Sequence, residues 1–215
     1  MLFRSAGALQ ISYGQDAMVR TLRQIQFVTS ATPEYAEYAK RLKESCGRFG
    51  LDLMLVEQES TGSWHRNRNL KSKAIRRALD AEPHRPVVWI DADGEVMRSP
   101  DLFCEFDLRV DIAMFRGQPW GGGAIERCMG TTFFANNLRV RAVIADWERN
   151  MESDPLERAQ VNLCKAMDSC PSLTYQPLPF EYCAIDKSPL LEGCDPVIYH
   201  HQASRVMRKK VGNVV

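Results

Sequence analysis

Pro86-Val87-Val88-Trp89-Ile90-Asp91-Ala92-Asp93 decides the reading of this chain. Four consecutive apolar residues, Val87 to Ile90, follow a proline and stop at two acids. That is the pattern of a strand buried on both faces of an α/β sheet. Ligands of open α/β sheets bind beyond the carboxyl ends of such strands. Asp91 and Asp93 therefore stand where chemistry is expected, and strand alternation points both carboxylates the same way. Two hard oxygen ligands beside a polyphosphate are a common way to hold Mg²⁺ or Mn²⁺. Acids after strands also occur as plain solvated turns, so the pair needs company before it marks a site.

The flanking sequence supplies a βαβαβ start. Residues 24–29 (Gln-Ile-Gln-Phe-Val-Thr) read as a first core strand. Thr32-Pro33-Glu34 opens a helix with a capping hydroxyl, a proline at the first helical position and an acid in the first turn. Tyr35, Tyr38, Ala39, Leu42 and Cys46 share one apolar helix face, and Gly47 and Gly50 end it. Residues 51–56 form a second strand, and a polar loop passes through Gly62-Ser63-Trp64. A helix over 67–81, with Leu70, Ala74, Ile75, Ala78 and Leu79 inward, leads into the strand that ends at Asp91. This order predicts a mostly parallel sheet with right-handed crossovers.

Downstream, short strands are expected at 95–97 and 111–115, with a capped helical turn between them at 99–103. Gly117, Gly121, Gly122 and Gly123 lie in a loop over 116–124. A strand at 131–135 precedes a helix capped by Asn136 or Asn137, with Val140, Val143, Ile144, Trp147 and Met151 as its apolar stripe. A further helix spans 155–167, and short strands fall at 173–176, 180–184 and 197–200. The expected division is a lead-in at 1–22, one domain over 23–205, and a basic tail at 206–215.

Composition bounds the partners. The chain has 215 residues, 45% hydrophobic and 26% charged, enough for one sizeable core. Its net charge of +1 provides no global field toward nucleic acid or membrane. No apolar stretch approaches the ~18 residues needed to span a bilayer. The N-terminal apolar segment is too short, and wrongly flanked, for a signal peptide. Seven scattered cysteines, with no Cys-x-x-Cys, disfavour zinc and a disulfide framework and read as reduced thiols of a cytoplasmic protein. Oligomeric state is left open.

Five ordered segments carry a family resemblance. They are Thr32-Pro33-Glu34-Tyr35; Gly62-Ser63-Trp64 with Asn67 and Lys71; Val88-Trp89-Ile90-Asp91-Ala92-Asp93; Gly130-Thr131-Thr132-Phe133-Phe134-Ala135; and Ile198-Tyr199-His200-His201-Gln202-Ala203-Ser204-Arg205. On them, over about 27–205, the chain resembles the GT-A glycosyltransferases that use nucleotide-diphospho-sugars, in particular a compact microbial or phage-type subgroup with an Asp-x-Asp motif. The resemblance implies a single Rossmann-like α/β domain, with a mostly parallel central sheet flanked by helices and a small mixed C-terminal part. It implies Mn²⁺ (or Mg²⁺) held by Asp91, Asp93 and His200, with a nucleotide-diphospho-sugar as co-substrate. Imidazole beside two carboxylates suits Mn²⁺ better than Mg²⁺. Lys71 matches the subgroup's lysine and would neutralise the diphosphate. Trp64 and Asn67 would shape the nucleoside pocket, Thr29 and Ser30 receive base and ribose, and Gly130 and Thr131 approach the sugar or acceptor. Many relatives carry an acid-glutamine pair where this chain has Ala159-Gln160.

The implied reaction is transfer of a sugar, from UDP by preference, to a hydroxyl, with Asp93 essential. The late histidine leans toward retention. Inversion needs an acceptor-side base, for which Asp186, Glu181 and Asp111 are candidates. A hydroxymethylated base in DNA, a surface glycan and a protein side chain all fit as acceptors. Two other readings stand beside this one. A sugar-nucleotide nucleotidyltransferase is disfavoured because residues 29–33 carry no glycine. A non-catalytic binding module is disfavoured by the intact Asp91, Asp93 and His200.

Overall fold

The computed structural model describes residues 21–63, 66–67, 69–107 and 109–211. Nearly all of the expected lead-in, and Trp64, therefore lie outside the described residues. A six-stranded sheet forms the centre, built from β1 (Gln26–Ala31), β2 (Leu53–Glu57), β3 (Val87–Ile90), β5 (Ile112–Gly117), β6 (Glu126–Phe134) and β7 (Tyr175–Leu178), in the order β2-β1-β3-β6-β5-β7. Three neighbouring pairs are parallel, and β6 runs antiparallel to both of its neighbours. The mostly parallel expectation holds, with one reversed strand inserted at the centre. A smaller sheet orders β4 (Gly94–Val96), β9 (Ile198–His200) and β8 (Ala184–Ile185) as β4-β9-β8. Residues 180–183, expected as strand, form a 3-10 turn.

Apolar spacing accounts for the helices. In α1 (Ala36–Arg48) the buried positions include Ala39, Leu42 and Cys46. Pro33–Tyr35 ahead of it is a separate 3-10 turn. In α2 (Lys71–Ala81) Ala74, Ile75, Ala78 and Leu79 are buried, as their spacing predicts. Between β4 and β5 lies the four-residue α3 (Leu102–Glu105). Asn137 accepts the Val140 N–H at 3.0 Å and caps α4 (Leu138–Ser153), whose stripe of Val140, Val143, Ile144, Trp147 and Met151 is buried throughout. Trp147, fully buried, donates its indole N–H to the Ala159 carbonyl at the start of α5 (Ala159–Asp168). Truncating it to alanine would cost about 3–5 kcal/mol. Residues expected as a basic tail continue as helix α6 (Ala203–Val211). Among the described residues no helix is long and apolar enough to cross a membrane.

The central strands carry one irregularity. On β5, Met114 and Phe115 face Thr132 and Cys128 of β6, so residues 129–131 bulge out of that ladder. Such bulges re-aim side chains beside functional sites. The bulge still meets β3, because the Asp91 N–H donates to the Gly130 carbonyl at 2.8 Å.

Candidate functional site

β3 ends at Ile90, and the two acids lie in the tight turn that follows, closed by the Gly94 N–H donating to the Asp91 carbonyl at 2.7 Å. β4 leaves that turn and pairs antiparallel with β9, placing Gly94 opposite His200. A residue 107 positions downstream is thereby brought against Asp93. The approach is close. A Cβ at Gly130 would lie 3.1–3.3 Å from the His200 ring, and one at Gly94 would meet Ile90 and the Asp91 carbonyl. Only glycine leaves the imidazole its place.

The charges pair with care. Asp91 Oδ1 accepts from Lys71 Nζ at 2.6 Å and from the buried Trp89 indole N–H at 2.7 Å. Lys71 is the first residue of α2, and its ammonium also stands over the Trp89 ring, 5.6 Å from the centroid. Asp93 Oδ2 accepts the Ala203 N–H at 2.8 Å, and Oδ1 faces His200 Nδ1 at 3.8 Å. His200 Nε2 lies 2.9 Å from Thr131 Oγ1. Burial opposes charge on both members of the Asp93–His200 pair. The mutual attraction outweighs it, aided at Asp93 by the Ala203 N–H and Lys71 and at His200 by the Cys183 thiol. The carboxyl is held below its ordinary range and the imidazole above. His201, on the other side of the strand, meets Glu95 at 3.0 Å instead.

These groups share a cavity of about 460 Å³, in the range of small-molecule sites. Of the residues singled out by sequence, Ser30, Asn67, Lys71, Asp91, Asp93, Gly130 and His200 line it. Thr29 and Thr131 are fully buried and do not reach its wall. The bulge turns Thr131 toward His200 rather than toward ligand space. Asn67 also braces its own loop, accepting from the Thr61 N–H at 2.8 Å. Glu181 and Asp186 are not on the wall, and Asp186 accepts from the Tyr199 hydroxyl at 2.8 Å. Asp111, the third base candidate, is buried elsewhere, bound by Arg139, Asn137 and the Thr174 N–H.

Sequence reasoning missed several wall residues. Glu34 lines the β1 side, and its buried Oε2 has no hydrogen-bond partner. The Thr32 hydroxyl, chiefly, holds its carboxyl below the usual range against burial. Trp120, Glu126 and Arg158 also line the wall, together with Gln160, which the resemblance had marked. The orphaned acid has no local signature, and the β6-side group gathers only through long-range pairing.

The donor chemistry fits a divalent cation: two carboxylates and an imidazole line one cavity, two of them adjacent. Among the described residues, however, no group of three His, Cys, Asp or Glu side chains is gathered as a metal cluster. Asp91 faces Lys71 and Trp89, so it is not drawn in with Asp93 and His200. A cation taking His200 as ligand would displace its proton.

No family model matches the sequence, and no curated protein matches it. Solved structures do. A glycosyltransferase involved in glycosylating the major capsid of PBCV-1 superposes with a TM-score of 0.68 at 19% identity, over 86% of this chain and 97% of that one. The chain has a GT-A glycosyltransferase fold. The glycosyltransferase GlyE of Streptococcus pneumoniae TIGR4 aligns at TM-score 0.60 and 16% identity, over 83% of this chain but only 54% of its own. This chain thus spans about half the length of GlyE. The galactosyltransferase LgtC, solved with donor and acceptor sugar analogs, aligns at TM-score 0.51 and 12% identity, over 83% of this chain and 87% of that one. Within the GT-A frame, the cavity lies where sheets of this type receive ligands, beyond the carboxyl end of β3.

Proposed function

We propose that this protein is a metal-dependent glycosyltransferase that moves a sugar from a nucleotide diphosphate, UDP by preference, to a hydroxyl. The observation that carries the reading is the convergence of Asp91, Asp93, Lys71 and His200 on one cavity beyond β3. Three groups of side chains would meet the parts of a nucleotide sugar in turn. Glu34, on the β1 side, would present its carboxylate to a base N–H or a ribose hydroxyl. Lys71 sits over the centre and lends positive charge to the diphosphate. Asp93 and His200, with Asp91, would hold the cation, which when bound stabilises charge on the leaving diphosphate as a Lewis acid. Thr131 and the Ala203 N–H keep the Asp93–His200 pair in one orientation, so little reorganisation is needed during reaction.

The test is thermal unfolding with Mn²⁺ and a panel of UDP-, GDP-, TDP- and CDP-sugars. A ligand bound only by the folded protein raises the midpoint by mass action. A rise that requires both Mn²⁺ and one nucleotide sugar is expected. No rise with any member of the panel would overturn the reading.

A further inference from the structure

The β6 side of the cavity has a different chemistry from the diphosphate side. Trp120 is 41% exposed and lines the cavity, on a loop that carries Gly121, Gly122 and Gly123. The Arg205 guanidinium lies over its ring, 4.5 Å from the centroid. The loop is tied down rather than loose: the Ser188 hydroxyl donates to the Pro119 carbonyl, and Gln118 Nε2 donates to the Gly123 carbonyl at 2.8 Å. The same cavity wall carries a polar cluster. Gln160 accepts the Met129 N–H at the bulge and donates to Glu126 Oε2 at 3.3 Å. Arg158 faces the same oxygen at 3.8 Å. Glu126 Oε1 has no partner among the described residues, although the side chain is only 34% exposed.

We infer that this end of the cavity is a saccharide subsite, and that the acceptor is a glycan stacked on Trp120 with its hydroxyls on Glu126, Arg158 and Gln160. The inference rests on the glycosyltransferase reading and names its acceptor class. A pyranose has an apolar C–H face and a rim of hydroxyls that both donate and accept. An indole held in place by a cation, next to a carboxylate, an amide and a guanidinium, offers the matching surface. The charge at this end also separates the candidates. A DNA acceptor needs cations free to track phosphates, whereas Arg158 faces Glu126 and Arg205 covers Trp120.

The experiment uses the full chain with Mn²⁺ and whichever nucleotide sugar the donor panel selects. Acceptor probes are methyl glycosides of the common hexoses, a duplex containing hydroxymethylcytosine, and a Ser/Thr peptide. Transfer to at least one glycoside is expected. Trp120→Ala should raise the glycoside KM about tenfold or more, with the donor-induced thermal shift retained. Trp120→Phe, which keeps an aromatic face, should restore most of it. Glu126→Gln should also raise KM, because one acceptor oxygen becomes a donor. Transfer to the duplex or the peptide but to no glycoside would overturn the subsite. So would a glycoside KM unmoved in both Trp120→Ala and Glu126→Gln. Absence of any donor-induced shift in the wild type would instead remove the glycosyltransferase reading itself, a result the donor panel gives separately.

Discussion

The two ends of the cavity are built on opposite plans. At the β3 end every carboxylate is engaged: Asp91 by Lys71 and Trp89, Asp93 by His200 and the Ala203 N–H. Those groups sit at strand ends and a helix start, with Gly130 admitting the imidazole. At the β6 end the principal surface is an exposed indole on a loop, and the Glu126 side chain is partly exposed, bound through one oxygen to Gln160. A site for a diphosphate must hold charge without reorganising, which demands partners fixed by the fold. A site for a neutral ring needs shape and a few polar contacts, which a loop can supply and exchange. Substitutions at the first end should therefore damage the chemistry, and the fold as well where the group removed is buried. Those at the second should alter acceptor use alone.

The largest effect should come from Asp93→Ala, which leaves the buried His200 imidazolium without its counter-charge. Transfer should fall by at least about a thousandfold, and stability by about 3–5 kcal/mol, seen as a lower thermal midpoint. Transfer within tenfold of wild type would break the contrast between the two ends. Next is Lys71→Met, which removes the cation from Asp91 but leaves Trp89 as its partner. We expect kcat/KM to drop ~10–100-fold in steady-state assays, with little change in the midpoint.

Asp111→Asn serves as a reference outside both ends. Burial would raise this carboxyl, but Arg139, the Thr174 N–H and Asn137 hold it below its ordinary range. Its folded-state pKa is thus depressed. The stability it contributes is intact above the unfolded value of about 4 and is lost as pH falls through the lower folded value. The variant should lose about 2–4 kcal/mol at neutral pH, chiefly through the hydrogen bonds from Thr174 and Asn137. Its acid limb in stability-versus-pH curves should be flatter than that of the wild type, and an unchanged limb would contradict the assignment. The smallest effect belongs to Arg205→Ala, which removes the guanidinium from the Trp120 ring. A two- to threefold rise in acceptor KM is expected, about 0.5 kcal/mol, with donor affinity retained. A fall in donor affinity would show that the two ends are not separable.

Much of the β3 end was legible in sequence because its signals are local. An apolar run stopping at two acids, a helix stripe, and a histidine ending a short strand are all read within a few residues. What periodicity cannot show is strand direction or cross-sheet register. Nothing in residues 126–134 announces that β6 runs antiparallel between β3 and β5, or that its bulge buries Thr131 against His200. Glu181 and Asp186 drew attention as acids near the expected histidine, yet the fold sends Asp186 to Tyr199. Glu126 went unremarked because its partner Gln160 is 34 residues away. Trp120 was visible only as one more residue of a glycine-rich loop.

The pairing of β4 with β9 also sets an order of events during synthesis. The central sheet draws on residues up to 178, whereas the close contacts of the Asp93 carboxylate come, among the described residues, from His200 and Ala203. A nascent chain can thus assemble its hydrophobic core while the paired charges of the cavity are still incomplete, since contacts of such separation close late. Completion of this site therefore waits on residues 198–203, and a truncation before residue 198 would remove it while leaving every strand of the central sheet in the chain.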